Sequence, residues 1–284
     1  MGKKGNKSDD DDYDPKDKDN LASKQSSTSQ FHSAMRFDKS RALRERRFPN
    51  LGKSLLKTSS GFVLGKKGGR KNAGAVMGFE INSDKSSLSA VDYANRFFPK
   101  IAKHIHKNML LLRKDKTPGS IKPGALEWLH LHGDNLGGRS EVGNFVAGSK
   151  ASNTHMLAIE SALAMYAHLN ISISVQAFGP DTAHHLAQRI EYSVAVPSLS
   201  HLCKPRSVNL LKLTFVLDSL APSCTADEFE RLKSHMERWL SLADNLIHAA
   251  KSKNNLSPLF EKLKKVSGKY FVNTGNLLRL SPSS

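Results

Sequence analysis

A chain of 284 residues with 38% hydrophobic and 24% charged residues is long enough to bury one good core, and it is not a wholly disordered polymer. A formal net charge of +17 favours polyanionic partners. No run of eighteen apolar residues exists, which excludes a membrane-spanning helix, and two cysteines, Cys203 and Cys224, exclude a disulfide framework.

Residues 1–34 are polar and low in complexity, with an acidic tract at Asp9 to Asp12, Asp14, Asp17 and Asp19, and read as a disordered tail. The tract lacks EF-hand spacing. No apolar segment follows Met1, so no secretory signal peptide is expected. Residues 35–73 turn basic. Twelve Lys and Arg residues, from Arg36 to Lys71, stand against Asp38 and Glu45, with Phe37, Phe48 and Phe62 interleaved. Such an arm can grip phosphates by counterion release, or serve only as a basic linker or translocation handle.

The folded part is expected at 74–220. Ala75 to Ile81 reads as a first strand, and Leu88, Val91, Ala94, Phe97 and Phe98 follow helical spacing up to Pro99. Ala125 to His132 alternates as a strand, with His130 and His132 on one face. Gly133-Asp134-Asn135 and Gly137-Gly138 open a loop. A second loop runs from Asn144 to Ser152, and Asn153 reads as the cap or first turn of a helix through Tyr166. Strands are expected at 171–178, 189–196 and 208–217, giving an antiparallel sheet of α+β class.

Residues 221–284 read as a helical extension packing on the core. Thr225 and Glu228 make a capping box ahead of a stripe through Phe229, Leu232, Met236, Trp239 and Leu246. Ser257-Pro258 starts a further helix.

The chemistry is concentrated between Glu127 and Glu160. Asn153 and Glu160 are seven residues apart, nearly two helical turns, and therefore share a face. An amide oxygen and a carboxylate suit a hard hydrated cation such as Mg²⁺. A strand histidine opposite them can take a proton from water, and the metal can stabilise charge on the phosphate. Each residue also has a plain role: Asn153 as a cap, Glu160 as a solvated helix residue, and the histidines as hydrogen-bonded strand residues. His130-Leu131-His132 is also a two-point zinc grip without an evident third ligand.

The run His130, Leu136-Gly137-Gly138, Asn144-Phe145-Val146-Ala147, Asn153 and Glu160 resembles the non-specific DNA/RNA endonucleases with the ββα-metal (His-Me finger) core, closest to their toxin-like bacterial branch. The resemblance implies a Mg²⁺- or Mn²⁺-dependent nuclease that leaves 5′-phosphate ends. It implies His130 as general base, Asn153 as metal ligand, Glu160 beside the metal and Asn144 as a brace for the loop or histidine. Arg139 and Lys150 are the nearest substitutes for the family's phosphate-binding arginine, because its Asp-Arg-Gly is Glu127-Trp128-Leu129 here. The same resemblance implies a delivered toxin or effector, cytoplasmic in its producer, with an immunity protein or a secretion-system carrier as partner. The competing expectation is a non-catalytic basic nucleic-acid-binding protein whose motif has decayed.

Overall fold

The computed structural model describes residues 54–62, 73–82, 87–103, 126–202, 211–221, 223–252, 255–273 and 276–280. The acidic tail, most of the basic arm and Cys203 lie outside these residues.

In chain order the elements are β1 (Ser54–Phe62), α1 (Ala73–Asn82), α2 (Ala90–Phe97), β2 (Leu126–His130), β3 (Phe145–Ser149) and α3 (Lys150–Met165). They continue as β4 (Ser172–Gly179), β5 (Arg189–Ala195), β6 (Leu213–Asp218), α4 (Ala226–Lys251), α5 (Ser257–Val266), β7 (Gly268–Asn273) and β8 (Asn276–Leu280). Six strands form one sheet in the order β1-β4-β5-β6-β7-β8. Its pairs are antiparallel except β6 with β7. The fold is therefore mixed α and β with an antiparallel-dominated sheet, consistent with the α+β class.

Alternation decides which side of the sheet is dry. Ile173, Val175 and Ala177 of β4, and Ile190, Tyr192 and Val194 of β5, point to one face and are buried. Met156, Ile159 and Leu163 of α3 and Leu232, Met236, Trp239 and Leu240 of α4 join the same core cluster. The α4 stripe expected from the sequence is thus core. Trp239 is fully buried and donates its indole N–H to Ser267 Oγ at 2.8 Å, which donates to the Leu263 carbonyl at 2.8 Å. The capping box is present, with Thr225 N–H donating to Glu228 Oε2 and Glu228 N–H donating to Thr225 Oγ1.

β2 and β3 form a separate antiparallel hairpin. One side carries Leu129 and Val146 into the main core; the other carries Leu126, Trp128 and Ala147 against Leu88, Tyr93 and Ala94 around α2. Trp128 donates its indole N–H to the Leu88 carbonyl at 2.8 Å. β3 is then tied to the loop before β5: Ala147 N–H donates to the His185 carbonyl at 2.7 Å, and Ala187 N–H donates to the Ala147 carbonyl at 3.0 Å.

Four expectations need correcting. Residues 75–81 are helical, because Met77 and Ile81, four apart, turn inward while Phe79 is exposed. Residues 145–149 are a strand rather than a loop; Ser149 caps the helix, and Asn153 takes the other expected place, in its first turn. The arm is not a linker throughout, since 54–62 is a sheet strand. The segment after 221 is not all helix, since β7 and β8 extend the sheet.

Trp239→Ala should cost about 3–5 kcal/mol, from the cavity and the lost indole bond. Urea unfolding followed by circular dichroism checks this; a loss under about 1 kcal/mol would remove Trp239 from the core argument.

Candidate functional site

β3 runs out into α3, and α3 folds back along β2. Ser149 caps the helix by accepting from Ser152 N–H at 3.1 Å. The start of α3 therefore meets the start of β2, and its middle meets the loop that leaves β2. Asn153 is exposed, and its Nδ2 donates to Glu127 Oε2 at 3.0 Å. That bond joins an amide and a carboxylate 26 residues apart in sequence.

Glu160 sits nearly two turns along, about 10 Å up the axis. It is buried, and a Cβ on Gly133 would lie 2.2 Å from its Oε2. The carboxyl group thus packs directly on the Gly133 backbone, and a side chain there would have to displace it. Burial pushes the Glu160 carboxyl up to about 8. Tyr192 lies in its field. Burial raises that phenol well above its ordinary value, the charge of Glu160 raises it further, and its hydroxyl has no hydrogen-bond partner among the described residues.

Asn144 is a brace. It is buried, accepts from His132 N–H through Oδ1 at 2.8 Å, and donates through Nδ2 to the carbonyls of His132 and Arg139, each at 2.9 Å. These three bonds close the 131–144 loop on itself. Gly137 completes the turn with φ 93°, in the left-handed region.

His130 is half-buried. Its Nε2 lies 3.3 Å from Ser140 Oγ and its ring 4.5 Å from that of Phe145. Strand alternation turns it to the side of Leu126 and Trp128, away from Glu127 and Leu129. His132 does not converge with it into a zinc grip: its Nε2 is held 3.1 Å from the Leu136 carbonyl, and its ring stands against Gly61 of β1. Desolvation lowers the His132 pKa, partly offset by that carbonyl.

The structure thus brings Glu127 to Asn153, and Glu160 to Gly133, but places these pairs at opposite ends of β2 and turns His130 to the other side of the strand. Arg139 and Lys150 are exposed, one in the loop and one at the first position of α3.

Several neighbours escaped sequence reasoning. Lys57 of β1 donates to the Val142 carbonyl in the turn before β3. Burial pushes its ammonium down to about 8, against a raising influence of Glu80. The His185 imidazole is pushed down to about 4 by desolvation and by the charges of Lys57 and His184, and the His185 backbone N–H donates to Tyr93 Oη at 2.7 Å. Only the His184-His185 doublet gave a linear signal; the meeting of Lys57 with the loop depends on β1 joining the sheet.

No protein-family model, curated protein or solved structure matches the chain.

Two outcomes follow from this geometry. Asn144→Ala should destabilise by at least about 2 kcal/mol, because three backbone groups lose their partner, whereas exposed Asn153→Ala should stay within about 0.5 kcal/mol. Chemical denaturation of both variants checks the contrast.

Glu160 also has a defined pH sign. Its folded value of about 8 lies above the ordinary 4.5, so between these the native state holds a proton that the unfolded state has lost. Its contribution is fully present below pH 4.5 and is lost as pH rises through about 8. Relative to Glu160→Gln, wild type should lose stability across that window, and parallel stability curves would contradict the buried acid.

Proposed function

We propose that this chain is a metal-dependent phosphodiester hydrolase acting on DNA or RNA with little sequence preference, built on a ββα-metal unit. The observation that carries the reading is the β2–loop–β3–α3 unit, in which Asn153 at the start of the helix is hydrogen-bonded to Glu127 on the strand that ends in His130. Hairpin, loop and helix carry His130, Asn144, Asn153 and Glu160 in the order the resemblance implies.

Among the described residues, the donors that fit a hard cation are the Asn153 amide oxygen and the Glu127 carboxylate. Both are oxygen ligands outside the core, and their mutual bond orients the amide. Glu160 fits less well, since burial holds its carboxyl protonated and Mg²⁺ prefers an ionised one. Its place as a metal neighbour therefore passes to Glu127. Mg²⁺ or Mn²⁺ there would supply charge neutralisation at the scissile phosphate.

The protein's own residues do the rest. In this reading His130 is the general base, with Ser140 steadying Nε2; it leaves β2 on the face opposite Glu127, so the attacking water has to reach it around the strand. Asn144 fixes the backbone that leads out of His130. Arg139 and Lys150 hold phosphates, and the basic arm adds sequence-independent affinity. In this reading the enzyme is a delivered toxin or effector, and a basic nuclease of this kind calls for an acidic immunity partner in its producer.

One observation favours the second reading, a non-catalytic nucleic-acid-binding protein. His130 shares the side of Trp128 rather than that of Glu127. Plasmid and RNA incubated with the full chain separate the two. The hydrolase should nick or cut with Mg²⁺ or Mn²⁺, stop in EDTA, and lose about 10²–10⁴-fold in rate on His130→Ala. Asn153→Ala and Glu127→Gln should raise the metal concentration needed for half-maximal cutting. Retained binding with no cleavage in any divalent metal would establish the binding module instead.

A further inference from the structure

We propose that His155, Cys224 and Glu228 form a second metal site, for a borderline-soft divalent cation of the zinc type, pinning α3 to the start of α4. The site is independent of the proposed hydrolytic centre and uses residues to which that centre gives no role.

His155 projects from the second turn of α3; Cys224 and Glu228 flank Thr225, the cap of α4. All three are buried, with 1%, 1% and 3% of their surface exposed. One potential ligand atom from each lies within 4.8 Å of the others, and His155 Nε2 is 3.8 Å from Glu228 Oε2. Ligand distances of about 2.0–2.3 Å give tetrahedral edges of about 3.3–3.8 Å, so small side-chain rotations close the set around an ion.

The histidine points to a ligand. Neither of its ring nitrogens makes a hydrogen bond, although both are buried. A buried imidazole with nothing to donate to or accept from is rare, because the desolvated polar atoms cost free energy. A metal on one nitrogen removes half of that cost. The carboxylate is already aimed: the capping box fixes Glu228 through Thr225 N–H at 2.9 Å. Ala151, Ala221 and Phe229 pack around Cys224 and keep the surroundings apolar.

The ligand chemistry selects the metal. Imidazole, thiolate and carboxylate suit Zn²⁺ or Co²⁺, whereas Mg²⁺ prefers an all-oxygen shell. Three protein ligands leave a fourth position for water. On binding, the Cys224 thiol becomes a thiolate and its proton passes to solvent, so occupancy falls in acid.

The test uses the full chain, depleted of metal by chelator and titrated with Co²⁺. One equivalent should bind, with visible bands of a four-coordinate ion and a near-ultraviolet thiolate-to-cobalt charge-transfer band. Zn²⁺ should displace it and excess Mg²⁺ should not. Cys224→Ser should abolish the charge-transfer band and Cys203→Ser should leave it. His155→Ala should weaken binding at least about 10-fold. If a variant fails to fold, the wild-type titration still decides. Absence of the band, together with no rise in Tm on adding Zn²⁺, overturns the proposal, as does a band that survives Cys224→Ser or vanishes with Cys203→Ser. DNA cleavage in Mg²⁺ is read separately and bears only on the hydrolase.

Discussion

The backbone of β3 is held on both edges, and the candidate site depends on that. On one edge Phe145 to Ser149 pair with β2 from His130 back to Leu126. On the other, Ala147 exchanges bonds with the chain at 185–187, and Ser149 N–H donates to the Ser219 carbonyl at 2.7 Å. All five residues of the strand are buried. A one-residue slip would put Val146 on the α2 side and Ala147 in the main core, and would break both sets of bonds. The register is therefore fixed, and with it the point at which α3 departs. Asn153 reaches Glu127, and Glu160 reaches Gly133, because Ser149 can sit in only one place.

A tension follows in the middle of the helix. The space over Glu160 is closed by the backbone of Gly133, with Tyr192 buried in its field. A carboxylate left ionised there would carry the cost of an unpaired buried charge, so the neutral acid is the stable form at moderate pH. Folding and hydrolytic chemistry make opposite demands on such a group, since a metal site wants its acid ionised and wet. In the proposed site the half-exposed Glu127 therefore takes the place of Glu160. It keeps its solvation, and its bond to Asn153 costs little to break and remake.

How much was legible in the sequence follows from what each pattern encodes. The strands β4 and β5 and the helix α4 were readable because one buried face imposes a period of two or of 3.6 on apolar residues. The capping box was readable because it is local chemistry. β3 was not, because a five-residue strand buried on both faces shows no period, and Ala147-Gly148-Ser149 read as loop beside Phe145 and Val146. α1 was missed because a short apolar run fits helix and strand alike. Within the site, convergence of the side chains was the part the sequence could not show. Asn144 as a brace came only with the resemblance, and its three bonds to backbone groups show the loop-bracing part of it. That His130 turns from Glu127, or that Lys57 meets Val142, depends on register and on a strand contributed from the basic arm.

The two proposed metal sites fall on different sides of helix α3. Asn153 and His155 are two residues apart, which is about 200° around the axis. The first is exposed and bonded to an acid; the second is buried with both ring nitrogens lacking hydrogen bonds. A hard cation keeps most of its waters and so can use only the exposed side, where oxygen ligands stand in solvent. A softer cation gives up its waters to nitrogen and sulfur and is at home on the dry side, between α3 and α4. Burial thus sorts the ions as strictly as ligand type does.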